Sequence, residues 1–159
     1  MTACDDRVRW SVRAGKLTDA DVLCAFNASM ALETEGRALD ADVLRRGVLG
    51  ALGDPARARY FVAERDARIA GMLMLTAEWS DWRAGEWWWI QSVYVQEDTR
   101  RTGAYRALHE HVRELALHAS GVVGLRLYVE RANAKAKETY RSIGMEDAHY
   151  EVYEQAFPP

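Results

Sequence analysis

A tryptophan-rich apolar run ends in a basic, glycine-containing turn, and an amphipathic helix begins inside that turn. Trp88-Trp89-Ile90-Gln91-Ser92-Val93-Tyr94-Val95 reads as a strand, and Arg100-Arg101-Thr102-Gly103-Ala104-Tyr105 follows as the turn. Tyr105 to His118 reads as a helix with Leu108, Val112 and Leu115 turned inward. This order constrains the fold more than any other feature, because such a strand belongs in a sheet whose face the helix then covers. It also makes an anion site. Backbone N–H groups at a helix start lack internal partners, and the helix dipole favours negative charge there. Two familiar phosphate motifs are absent: no G-x-x-x-x-G-K-[ST] occurs, and no G-x-G-x-x-G opens the helix.

The basic turn is a local device rather than part of a basic surface. The net charge is −3, which argues against nucleic acid as a partner. A length of 159 residues suits one domain, 1–159, with a sizeable core. Cys4 and Cys24 form neither a disulfide framework nor a metal pattern, and they read as free thiols of a reducing compartment. His109 and His111 lack the i,i+4 spacing of a metal pair, so no metal is expected. Met1 to Asp6 is acidic without an apolar core region, and no apolar run approaches membrane length. The expectation is a cytoplasmic protein with no membrane partner.

Along the chain, Val8 to Val12 reads as a strand. Asp19 to about Glu35 reads as a helix with Thr18 as its N-cap, and Asp40 to Leu49 as a second helix. Tyr60 to Glu64 and Ile69 to Thr76 form a hairpin about Arg65-Asp66-Ala67-Arg68. After the tryptophan strand, the basic turn and its helix come a strand at Val122–Glu130 and a helix at Asn133–Ile143. A last strand region spans Met145–Tyr153. The order β-α-α-β-β-β-α-β-α-β is a mixed α/β (α+β) sheet rather than regular βαβ alternation.

A second patterned segment follows the basic turn: Leu125-x-Leu127-x-Val129, then Asn133-x-x-Ala136-x-x-x-Tyr140-x-x-x-Gly144-Met145. On a helix, positions 133, 136 and 140 share one face, and Gly144 fits a left-handed stop. Together the two segments resemble motifs A and B of the GCN5-related N-acetyltransferase (GNAT) superfamily. The resemblance covers about Tyr60 to Tyr153. It implies a mostly antiparallel central sheet flanked by helices, with a splay between the two central strands. It also implies acetyl-coenzyme A as co-substrate, attacked directly at the thioester by a primary amine. One departure stands out: Tyr105 occupies a place where the family usually has Gly or Ala.

On this resemblance, backbone groups near Val93 and Val95 hold the pantetheine arm and polarise the carbonyl. The turn residues Arg100, Arg101, Gly103, Ala104 and Tyr105 hold the pyrophosphate. Asn133 bonds the pantetheine arm or caps its helix, and Tyr140 is the acid toward the departing thiolate. The general base is Glu78, beside two tryptophans, or else Glu35. Glu33, Trp79 and Gln91 wall the acceptor, Gln91 orienting acceptor or water. The scatter of Glu33, Glu35, Glu78 and Asp81 suggests a small cationic acceptor. The alternatives are a peptide or protein acceptor, and a coenzyme A sensor without catalysis. Homodimers are common in the superfamily, which makes a second copy a candidate partner.

Overall fold

The computed structural model describes residues 10–157. Cys4 and the start of the strand expected from Val8 lie outside the described residues. The chain divides into two units, Met1–Tyr128 and Val129–Pro159.

In the first unit the elements run β1 (Ser11–Ala14), α1 (Ala20–Glu35), α2 (Ala41–Gly53), β2 (Arg59–Arg65), β3 (Arg68–Ser80), β4 (Gly85–Val95), α3 (Ala104–His118) and β5 (Val122–Leu127). The sheet order is β1-β2-β3-β4-β5. The first three pairings are antiparallel, and β4 pairs with β5 in parallel. The parallel pair needs a crossover long enough to hold a helix, and α3 is that crossover.

Local chemistry sets these boundaries. Asp66 and Ala67 both take positive φ, 52° and 59°. This gives the two-residue turn whose twist matches a hairpin, and it joins β2 to β3 where the sequence predicts. Asp40 caps α2, its Oδ1 accepting from Val43 N at 2.8 Å. Thr18 is not the cap of α1. A 3-10 turn at Leu17–Asp19 comes first and Asp19 takes the cap position. Its buried carboxylate accepts from Lys16 N at 2.8 Å and from Arg13 at 2.7 Å. The Arg13 guanidinium also reaches Glu64 at 2.6 Å, tying β1, β2 and the start of α1 together.

The sheet has a core on each face. Leu23, Phe26 and Val48 from α1 and α2 pack with Tyr60, Val62 and Met72. Leu108 and Val112 from α3 pack with Phe61, Leu73, Leu75 and Ile90. Strand alternation therefore assigns Met72, Met74, Thr76 and Glu78 of β3 to the α1/α2 face, and Leu73, Leu75 and Trp79 to the α3 face. Each fully buried aliphatic contributes about 1.5–3 kcal/mol.

In the second unit α4 (Ala134–Ser142) is capped by Asn133, whose Oδ1 accepts from Ala136 N at 3.0 Å. Gly144, at φ 87°, follows its end. The strand expected at Met145–Tyr153 is not formed: no regular element follows α4 among the described residues. Tyr150 and Val152 alternate as a strand would, but Asp147 Oδ1 accepts from His149 N at 2.8 Å. His149 turns to φ 58°, which breaks the extended path.

Candidate functional site

The site grows from an irregularity in β4. Met74 and Leu75 are adjacent on β3, yet they face Ser92 and Ile90. Gln91 is therefore an extra residue, a β-bulge, and a bulge bends and twists its strand. The pairing of β4 with β5 stops at the same place, the last partners being Ile90 and Leu127. β5 ends there while β4 runs on to Val95, so among the described residues Gln91–Val95 has no ladder partner on the β5 side, and this open edge is a gap in the ladder.

Which backbone groups face that gap follows from one hydrogen bond. Gln96 N donates to Ala70 O at 2.8 Å, toward β3. Alternate residues point the same way, so Tyr94 faces β3 while Val93 and Val95 face the gap. The Val95 carbonyl accepts from Arg100 Nε at 2.9 Å on that side.

The turn after β4 is fixed by its own residues. Thr99 is buried and its hydroxyl donates to Gln96 O at 3.0 Å. The Thr102 hydroxyl donates to Thr99 O at 2.7 Å, and Trp10 Nε1 donates to Thr102 O at 3.1 Å. Arg101 and Gly103 take left-handed φ, 66° and 95°. Gly103 is the N-cap of α3 and offers no side-chain acceptor, and no acidic residue stands in the first turn. The first turn of α3 therefore begins without a side-chain cap from Gly103, and N–H groups at a helix start have no intrahelical acceptor. Arg101 is exposed and has no ion-pair partner among the described residues. This suits a pyrophosphate by the same physics that the sequence suggests. The Tyr105 ring lies one turn along α3 beside His109, centroids 6.1 Å apart.

Arg100 is engaged. Its Nη2 pairs with Glu33 at 2.5 Å, and Tyr94 OH donates to the other Glu33 oxygen at 3.0 Å. The Arg100 bond holds the Glu33 carboxyl below its ordinary pKa, assisted by Tyr94, with partial desolvation opposing. Glu33, Tyr94, Arg100 and Val95 form one clasp between the end of α1 and the end of β4.

A second cluster occupies the α1/α2 face just before the bulge. Glu78 accepts from Trp89 Nε1 at 2.7 Å and from Arg126 Nη1 at 2.9 Å. The Arg126 guanidinium lies 4.1 Å from the Trp87 ring centre, and Tyr128 stacks on Trp89 at 4.5 Å. Gln91 Nε2 donates to Thr76 Oγ1 at 3.0 Å on the same face. Glu78 is therefore not the carboxylate in apolar surroundings that the sequence suggests: both its oxygens are spent on donors. Trp79 stands on the opposite face, 66% exposed. Glu35 ends α1, exposed and outside both clusters.

Asn133 and Tyr140 belong to the second unit. Asn133 acts there as the α4 cap, and burial raises the Tyr140 phenol above its ordinary pKa. Sequence reading missed Tyr94, Arg126 and Tyr128. Arg126 was findable, since the Leu125/Leu127 alternation sends it to the face of Trp87 and Trp89. Among the described residues no group of His, Cys, Asp and Glu converges as a metal site, and no helix is long and apolar enough to cross a membrane.

A mostly antiparallel sheet whose fourth strand outruns its parallel neighbour and leads into a helix start without a side-chain cap matches a known family. The family model described as "Acetyltransferase (GNAT) family" matches residues 25–145. This chain belongs to the GNAT acetyltransferase family. A possible acetyltransferase from Clostridium difficile 630 is 39% identical, with 94% of this chain and 99% of that one covered and a TM-score of 0.87. A ribosomal-protein-alanine N-acetyltransferase from Brucella melitensis biovar Abortus 2308 shares the fold at 20% identity, with TM-score 0.76 and 94% and 100% coverage. So does an aminoglycoside acetyltransferase from an uncultured soil metagenomic sample, solved with sisomicin, at 15% identity, TM-score 0.73 and 93% and 97% coverage. No curated protein matches this GNAT chain.

Proposed function

We propose that the chain is a single acetyltransferase domain moving the acetyl group of acetyl-coenzyme A to a primary amine of a small molecule. The observation that carries this reading is the open edge of β4 beyond Ile90, where Val93 and Val95 turn away from β3, followed by an α3 N-terminus without a side-chain cap. The co-substrate supplies an activated thioester carbonyl. The N–H groups of Ala104, Tyr105 and Arg106 bind its diphosphate, with Gly103 permitting the turn and Arg101 adding charge. Val93 and the Val95 N–H present backbone groups to the pantetheine arm, while Arg100 holds the Val95 carbonyl and so fixes the strand end, and Asn133 contributes a side-chain amide. Tyr140 holds a proton for the departing thiolate, and the raised phenol pKa keeps it protonated at neutral pH. Glu35, whose carboxylate is in neither cluster, removes the proton from the attacking ammonium. Glu78 acts in binding instead. The pairing of Glu33 with Arg100 and of Glu78 with Arg126 neutralises two of the acids that suggest a cationic acceptor.

Thiol release from acetyl-coenzyme A, measured over polyamines, amino acids and aminoglycosides, tests the reading. Turnover with at least one class is expected. Tight coenzyme A binding without turnover on any class would leave a sensor instead of an enzyme. Tyr140→Phe should lower kcat about 10²-fold, the lower end for a lost general acid, with acetyl-coenzyme A affinity kept. Unchanged kcat would remove Tyr140 from the mechanism.

A further inference from the structure

We infer that the acceptor amine carries a carboxylate, and that Arg126 reads it. The inference rests on the acetyl-transfer reading and names the substrate class of the same site.

Arg126 is a built feature rather than a loose surface charge. One face of its guanidinium lies over Trp87, 4.1 Å from the ring centre, and Trp89 stands 5.8 Å away. Nη1 donates to Glu78, whose second oxygen is fixed by Trp89 Nε1. The support reaches into the backbone. A Cβ at Gly124, two residues before Arg126, would overlap the Trp87 ring, so glycine there lets the indole lie across β5. Arg126 is thus held planar and oriented, with its side chain still 27% exposed. A guanidinium has five N–H donors in a rigid fork, and Glu78 accepts from one nitrogen. Among the described residues Glu78 is its one hydrogen-bond acceptor.

The position matters as much as the chemistry. Trp89 pairs with Arg126 one step before the last partners, Ile90 and Leu127. The Arg126 backbone therefore lies one step before the ladder ends, and its guanidinium lies over Trp87 on the same sheet face as the Gln91 side chain. Tyr128, stacked on Trp89, adds an aromatic wall. Gln91 has donated its amide N–H to Thr76, which leaves its carbonyl oxygen to accept from an ammonium group. A carboxylate suits the open edge of the fork, since Arg–carboxylate pairs form two parallel hydrogen bonds. An acceptor with positive charge alone meets a guanidinium on this face, and Glu78 is already spent on it. The acceptor class that fits is an amino acid or a similar molecule holding both an amine and a carboxylate.

The test compares acceptors that differ in the carboxylate alone: L-lysine, L-lysinamide and cadaverine, with thiol release followed at saturating acetyl-coenzyme A. For the natural chain, kcat/KM for lysine should exceed that for either partner by at least tenfold. In Arg126→Gln the ratio should fall below threefold through a higher KM for lysine, with the KM for acetyl-coenzyme A unchanged. Glu78→Gln keeps an acceptor for Arg126 but removes the carboxylate charge that competes for the guanidinium, and should raise the ratio, which a merely structural role for Arg126 would not do. Equal or better use of lysinamide or cadaverine overturns the inference, as does a ratio insensitive to Arg126→Gln. Tryptophan emission provides a binding readout independent of turnover, because Trp87 and Trp89 flank the guanidinium. Saturable quenching by lysine and not by cadaverine, lost in Arg126→Gln, supports the inference even if no amine is acetylated. No quenching difference between the two counts against it, whatever the fate of the acetyl-transfer reading.

Discussion

Arg100 donates to two acceptors from separate stretches of the chain, the Glu33 carboxylate at the end of α1 and the Val95 carbonyl at the end of β4. A charge that reads in the sequence as one more phosphate ligand is used to hold two elements in place. Nothing in the local pattern announces this, because Glu33 lies on another element and reaches Arg100 through the fold alone. Glu33→Gln tests the clasp. Glutamine keeps an acceptor for Tyr94 but loses the ion pair. The pair is about 40% exposed on one side and 42% on the other, so solvent screens it. Its loss should cost about 1 kcal/mol or less. If the clasp sets the turn, that loss appears as up to about fivefold weaker acetyl-coenzyme A binding by calorimetry, at 1.4 kcal/mol per tenfold. An acetyl-coenzyme A affinity equal to that of the natural chain would show that the turn holds its shape without Glu33. The pH dependence has a definite sign. The folded-state pKa of Glu33 is depressed, first by Arg100 and then by Tyr94. The clasp is therefore fully present above the ordinary value of 4.5 and is lost as pH falls through the lowered one.

Elements were legible where a residue type has one strong backbone preference or a long period. The helix from Ala104, the hairpin turn at Asp66-Ala67 and the Asn133 cap all follow from local chemistry. The bulge at Gln91 was not legible, because an extra residue in a ladder shows only against its partner strand. The alternation at Tyr150–Val152 misleads for a related reason: period two says that a strand is permitted, not that the preceding turn allows it. The start of α3 gives the sharpest test at this scale. Gly103 is at φ 95°, and the space where a Cβ would go meets no atom nearer than Trp10 Cδ1 at 3.9 Å. Gly103→Ala should therefore act through backbone strain and not through a clash. The expected loss in unfolding free energy is roughly 1–2 kcal/mol, read by urea denaturation. Coenzyme A affinity should fall as well, since relaxing φ re-aims the N–H groups of Ala104 and Tyr105. A destabilised variant with undiminished coenzyme A affinity would mean that these donors are not the anion site.

Seen across the whole first unit, the sheet is a partition. Its α3 face is a continuous apolar layer, and into that layer the sequence places a histidine. His109 is 3% exposed, on the same helix as Leu108 and Val112. Burial pushes its pKa below the ordinary 6.5, with Arg113 adding to the shift and Glu110 opposing it. The folded protein therefore keeps the ring neutral at a pH where the unfolded chain has begun to bind a proton. The contribution of His109 to stability is fully present above about pH 6.5 and declines as pH falls from there through the depressed folded value. The limiting slope is about 1.4 kcal/mol per pH unit for one group. Denaturation curves at pH 7.5, 6.5 and 5.5 measure this slope. His109→Leu removes the titrating ring and keeps an apolar side chain in the layer, so its stability should depend less on pH over that range. The comparison uses slopes, which makes it independent of whether leucine packs better or worse than imidazole. Parallel curves for the two proteins would mean that His109 binds its proton equally well folded and unfolded, and that the apolar layer is open to water at this point.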